Sequence, residues 1–192
     1  MNPHEFPFFA HFHYKGKWYH GRCGGALITS RHVLSCQHCF NNEAMNCFEC
    51  VEVVFGKTLP NDEGVAKKKV HRIVFHPSLD FSILVLESEV PLSQYVKTIG
   101  LPEINSDFSG QNATLAGTGR RVPGLPTAVS DPGTLLMMKV TLKVGSEPGE
   151  KCPSERHVCA TSLRGKPGKP GWGSGCDGDS GAPLFICKGG HP

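Results

Sequence analysis

At 192 residues the chain can bury a core of its own, as one domain or two small ones, so disulfides supplement that core and do not replace it. A formal charge of +3 with a single dense basic run, Lys67-Lys68-Lys69, argues against a polyanion-binding surface, and the run is expected in a solvated loop. No stretch is long and apolar enough to cross a membrane, while nine cysteines beside 23 glycines and 15 prolines indicate a loop-rich fold made in an oxidising compartment.

In chain order, the first expected element carries Phe8, Ala10, Phe12 and Tyr14, apolar residues at the two-residue period of a half-buried strand. Cys23 to Phe40 reads Cys-Gly-Gly-Ala-Leu-Ile-Thr-Ser-Arg-His-Val-Leu-Ser-Cys-Gln-His-Cys-Phe and places His38 at the end of an apolar strand. Val51 to Phe55, Val70 to Phe75 and Phe81 to Leu86 are strand-length apolar runs bounded by turn-forming residues, with Asp80 at the mouth of the last. A polar stretch from Ser106 to Gln111, after the Leu101-Pro102 turn, is the expected boundary between units 1–108 and 109–192. Beyond it come Thr114 to Ala116, the alternating Met138, Val140, Leu142 and Val144, and Leu184 to Cys187. No segment holds a helical period for three turns and no internal repeat is present, so an all-β sandwich or barrel is expected.

The chemistry concentrates at Gly175 to Leu184, Gly-Cys-Asp-Gly-Asp-Ser-Gly-Ala-Pro-Leu, where Ser180 stands between glycines and acids ahead of an apolar strand. A serine hydroxyl is inert near neutral pH unless a base takes its proton and donors await the oxyanion. Imidazole is the side chain that can take and return a proton there, and His38 is the candidate. Asn112-Ala-Thr114 is an N-glycosylation sequon, meaningful in a secreted chain. Cys36 to Cys39 and Cys47 to Cys50 form two Cys-x-x-Cys pairs, which alone would suggest zinc, but the spacer between them is shorter than in zinc ribbons.

Taken in the order His, Asp, Ser, these motifs resemble the chymotrypsin-type serine proteases, over nearly the whole chain from Glu5-Phe6-Pro7 to Leu184. The order separates the chain from subtilisins and α/β-hydrolases. The resemblance implies two antiparallel six-stranded β-barrels, with His38 and Asp80 on the first, Ser180 on the second, and the second incomplete at its C-terminus. It implies Ser180 as nucleophile, His38 as general base and then acid, Asp80 as the group orienting His38, and the backbone N–H groups of Gly178 and Ser180 as oxyanion hole. The Asp179 carboxylate pairs, in the family, with the amino terminus freed by zymogen cleavage, a terminus expected to lie upstream of this sequence. Ser174 falls at the base of the primary specificity pocket, where trypsin-like members carry an aspartate; a neutral floor points away from Arg or Lys and toward apolar side chains.

The resemblance also pairs Cys23 with Cys39 and Cys152 with Cys159. It puts the partner of Cys176 beyond Pro192, and matches Cys187 only approximately, its usual partner position being held by a non-cysteine near Ala113. Since Cys39 is taken, Cys36 is expected in an extra disulfide with Cys47 or Cys50, with no metal. Smaller departures are Thr118 where Trp is common, Cys36-Gln37 where two alanines are usual, and Ala182 for glycine; these alter packing more than mechanism. The expected function is a secreted serine endopeptidase acting on protein or peptide substrates through an acyl-enzyme. It is open to protein protease inhibitors and needs no cofactor, nucleic acid or membrane. No signal peptide is visible at Met1-Asn-Pro-His-Glu, so the sequence is expected to be a shortened form of an extracellular protein. The rival reading is a catalytically silent homologue or fragment that acts as a binding module.

Overall fold

The computed structural model describes residues 4–15, 20–40, 50–57, 64–119, 138–145, 152, 157–163, 175 and 178–187. Their regular structure is ten β-strands: β1 Phe9–Lys15, β2 His20–Thr29, β3 His32–Ser35, β4 Val51–Phe55, β5 Ala66–Phe75, β6 Ser82–Leu86, β7 Asn112–Gly117, β8 Met138–Val144, β9 Ala160–Ser162 and β10 Leu184–Phe185. The first six close into a barrel in the order β1-β2-β3-β6-β5-β4, and the other four form a sheet in the order β10-β7-β8-β9. Every described pairing is antiparallel, as short strands joined through turns allow.

Alternation fills the barrel. On β4, Val51, Val53 and Phe55 are fully buried while Glu52 points to solvent, and on β6 Leu84 and Leu86 join them in a core with Phe12, Leu27, Val33 and Val70. Each such side chain contributes about 1.5–3 kcal/mol on burial. Closure leaves no free strand edge in this half, because β1 pairs on one side with β2 (Phe9↔Ala26) and on the other with β4 (Ala10↔Phe55).

The half-buried reading of the first strand needs correction. Phe9 and His11, on its other face, are buried as well. The second sheet lies over that face: Phe6, Phe8 and Phe9 pack with Ala116 of β7 and Phe185 of β10 into a separate cluster. The Phe185 ring meets Phe8 and Phe6 edge-on at centroid distances of 4.9 and 5.2 Å, the geometry that aromatic quadrupoles favour. Lys67 to Lys69 are also corrected, from loop to strand. They open β5 and pair with Val54, Val53 and Glu52 of β4; Lys67 and Lys69 are exposed, whereas Lys68, on the face of Ala66 and Val70, is half-buried and its Nζ donates to Ser88 Oγ.

From residue 87 to 111 the chain runs without a strand between the two sheets. Its first part is laced to the barrel, with Val90, Lys97 and Ile99 N–H groups donating to Ser30, Pro7 and Leu27 carbonyls, whereas Gly110 N–H donates to Val144 O of β8. The chain thus passes from one sheet to the other between Ile99 and Gly110.

Candidate active site

The turn after β3 carries His38. At that rim two small buried serines replace bulk: Ser35 Oγ donates to Gly24 O of β2, and Ser82 Oγ of β6 donates to Cys36 O, each at 2.8 Å. The turn is thereby tied to its neighbours just before the histidine. Asp80 arrives from the opposite direction, one residue before Phe81 leads into β6. The loop that presents it is ordered by His76, whose Nδ1 accepts the N–H groups of Ser78 and Leu79 at 3.2 and 3.0 Å, while His76 N–H donates to Phe81 O at 2.9 Å.

The two meet tightly. Asp80 Oδ2 lies 2.6 Å from His38 Nδ1, and Asp80 Oδ1 accepts the backbone N–H groups of His38 and Gln37 at 2.8 and 2.9 Å. Both side chains are 57% exposed, so water screens the charge attraction and directional hydrogen bonds do most of the orienting. Partial burial works to raise the Asp80 carboxyl. The His38 imidazole, its N–H, its charge and the Gln37 N–H together outweigh that and hold the carboxyl below its ordinary range. A carboxylate that stays ionised fixes the imidazole with Nδ1 as donor and leaves Nε2 to accept a proton.

The Ser180 turn is seated on the same end of the barrel. Gly24 N–H of β2 donates to Ser180 O at 2.8 Å, and Ala182 N–H closes the turn onto Asp179 O at 2.9 Å. Gly181 has φ of 74°, and a side chain there would run into Ser35 Oγ and Gly24 O, so only a glycine lets the serine loop press this closely on the His38 turn. Gly178, the other expected oxyanion residue, also has positive φ, at 92°. Asp179 has an acceptor role that residue types alone did not reveal. Its Oδ1 takes the Gly119 N–H at 2.6 Å, and side chains at Gly117 or Gly119 would occupy the space of the carboxylate. The Ala116-Gly117-Thr118-Gly119 segment at the end of β7 is therefore a cradle for this acid.

Nε2 of His38 faces sulfur. Cys36 Sγ lies 3.7 Å from it, and among the described residues no hydrogen bond joins His38 to the Ser180 hydroxyl. Cys36 is also where a sequence expectation fails: it is a buried free thiol and takes part in no disulfide with Cys47 or Cys50. The reason is position, since its sulfur points into the barrel rim toward the Cys23–Cys39 disulfide, 2.8 Å from Cys39 Sγ. Cys50 is disulfide-bonded. Cys152 is bonded to Cys159, and Cys187 is an exposed free thiol. The sulfurs of Cys23, Cys36 and Cys39 lie within 4.8 Å of one another, a spacing that could hold a metal ion only with the disulfide reduced. Asn112 is exposed at the start of β7. Ser174, Cys47 and Cys176 lie outside the described residues.

Comparison with known proteins agrees with this architecture. Residues 1–190 match the family model described as Trypsin. A venom protease of Bombus pensylvanicus is 29% identical over 86% of this chain and 69% of its own length. The venom serine protease Bi-VSP of Bombus ignitus is 32% identical over 87% of this chain and 48% of its own length. Granzyme-like protein 2 of Rattus norvegicus is 32% identical over 97% of this chain and 73% of its own length. The chain spans between 48% and 73% of these relatives. With a closed β-barrel, a second antiparallel sheet and this match over nearly its full length, the chain belongs to the Trypsin family of chymotrypsin-like serine proteases.

Proposed function

We propose that the chain is the peptidase portion of a secreted serine endopeptidase that cleaves peptide bonds through an acyl-enzyme. The supporting observation is that the His38–Asp80 pair and the Ser180 turn share one rim of the barrel. In this reading Ser180 Oγ attacks the substrate carbonyl as His38 Nε2 takes its proton, and Asp80 stabilises the imidazolium through Nδ1. The oxyanion collects on the Gly178 and Ser180 N–H groups, whose loop is held by Asp179 in its glycine cradle. His38 then protonates the leaving amine, and water activated by His38 hydrolyses the ester.

Specificity is proposed to be for apolar side chains and not Arg or Lys, on the neutral Ser174. The substrates are peptides or proteins, and protein inhibitors of the family are possible ligands of the same surface. An extracellular location fits the Cys23–Cys39 and Cys152–Cys159 disulfides and relatives named as venom proteases. Peptide substrates that differ only in the residue before the scissile bond test this. Turnover is expected with Phe, Leu or Val there and not with Arg or Lys, and to vanish in Ser180→Ala; equal turnover by both proteins overturns the assignment.

One observation favours a second reading, a catalytically silent homologue that binds without cleaving: Nε2 of His38 faces Cys36 Sγ. Absence of turnover by folded, correctly oxidised protein supports it.

A further inference from the structure

Three sulfurs meet under the histidine turn where a disulfide needs two. Cys23 and Cys39 are bonded, and the free Cys36 thiol lies 2.8 Å from Cys39 Sγ. All three residues are buried, at 5%, 8% and 4% exposure for Cys23, Cys36 and Cys39, and their sulfurs lie within 4.8 Å of one another. A base stands beside the thiol, His38 Nε2 at 3.7 Å from Cys36 Sγ. Contact between a thiol and a disulfide sulfur, with a base beside the thiol, is the arrangement that thiol–disulfide exchange requires.

The geometry points to Cys36, Cys39 and Cys23 as an exchange site, at which Cys36 displaces Cys23 and the protein passes between a Cys23–Cys39 and a Cys36–Cys39 form. In the forward step the Cys36 S–H gives its proton to His38 Nε2 and the thiolate attacks Cys39 Sγ. The Cys36–Cys39 bond forms as the Cys23–Cys39 bond breaks, and Cys23 departs as a thiolate that takes up a proton when His38 releases one to solvent. One S–S bond replaces another, so neither oxidant nor reductant is consumed.

Burial holds the Cys36 thiol above its ordinary pKa, and the Asp80 charge adds to that against the N–H of Cys39, so the reactive thiolate is scarce near neutral pH. His38 and Asp80 are the titratable groups facing it among the described residues. Exchange therefore speeds up as pH rises. For the peptidase reading above, on which this consequence alone rests, the two forms differ at His38: Cys36 in its disulfide has no S–H to offer Nε2, which is then free for Ser180.

Disulfide mapping tests the exchange without reference to catalysis. The full chain is incubated at pH 7 and at pH 9 without added thiol or oxidant, quenched in acid and digested with pepsin. The expected result is a peptide holding an internal Cys36–Cys39 disulfide together with a free Cys23 peptide. Its amount should be at or above about a tenth of the Cys23–Cys39 form, as two disulfides of comparable strength would leave. It should be reached sooner at pH 9 and be absent from Cys36→Ser. In Cys23→Ser the Cys36–Cys39 bond should be the one formed. Finding Cys23–Cys39 alone at both pH values over days overturns the proposal. A protein that exchanges but does not hydrolyse peptides leaves the exchange standing and removes only the peptidase reading.

Discussion

The two sheets solve the same problem differently. The first six strands close on themselves and bury one core that runs from Ala10 to Val96, whereas the four-stranded sheet packs Ala116 and Phe185 against Phe6, Phe8 and Phe9, at and just before the start of β1. The groups expected to handle the proton, His38 and Asp80, stand on the self-sufficient half. The group expected to attack, Ser180, stands on a turn held by contacts to the other half, at Gly24 and Ser35. On the proposed mechanism, the orienting pair therefore depends on the barrel, and the position of the proposed nucleophile depends on the junction between the two sheets.

Substitutions at the reacting groups should give the largest effects. Ser180→Ala should lower kcat on the order of a millionfold, and Asp80→Asn about ten-thousandfold by losing control of the imidazole tautomer. Kinetics with an active-site titrant, and far-UV spectra unchanged from wild type, separate this from unfolding. Next comes the contrast in packing. Phe12→Ala in the closed barrel should destabilise by about 3–5 kcal/mol in urea denaturation, and Leu184→Ala on β10, which is 38% exposed, by much less. Equal losses would mean that the two halves share stability evenly and would break the comparison.

Gly181→Ala tests the junction itself. Positive φ and the crowding by Ser35 Oγ and Gly24 O should cost about 1–3 kcal/mol, with a fall in kcat disproportionate to that loss because the serine turn must lift from the barrel. The smallest expected effect is with acid. Asp80 titrates below its unfolded value, so its contribution to stability is present above the unfolded pKa and is lost as pH falls through the lower folded pKa. Exposure of the pair makes that contribution modest, and Asp80→Asn should flatten the stability profile of the protein in this window and nowhere else.

Much of the first half was legible because its strands alternate and are punctuated by turn residues: Val51 to Phe55 and Phe81 to Leu86 coincide with β4 and with β6 and its approach. Lys67 to Lys69 were not, since three adjacent cations carry no apolar alternation and the strand is defined by its pairing with β4. Phe9 looked outward because part of its cover, Ala116 and Phe185, comes from residues a hundred or more positions away in sequence. Within the site, residue types pointed to His38, Asp80 and Ser180. They could not show what backbone geometry supplies, the Gly119 N–H that receives Asp179, nor that Cys36 would turn toward Cys39 and His38. Cys-x-x-Cys spacing carries no information on which way each sulfur points.

Whether Ser180 is made nucleophilic by a histidine presented from the other sheet is read out by a fluorophosphonate and intact-protein mass spectrometry. One covalent adduct is expected, mapping to Ser180 in the folded wild type, lost in Ser180→Ala, and slowed at least about a thousandfold in His38→Ala. An adduct that forms at Ser180 as fast without His38, or no adduct on the folded wild type, would contradict that activation.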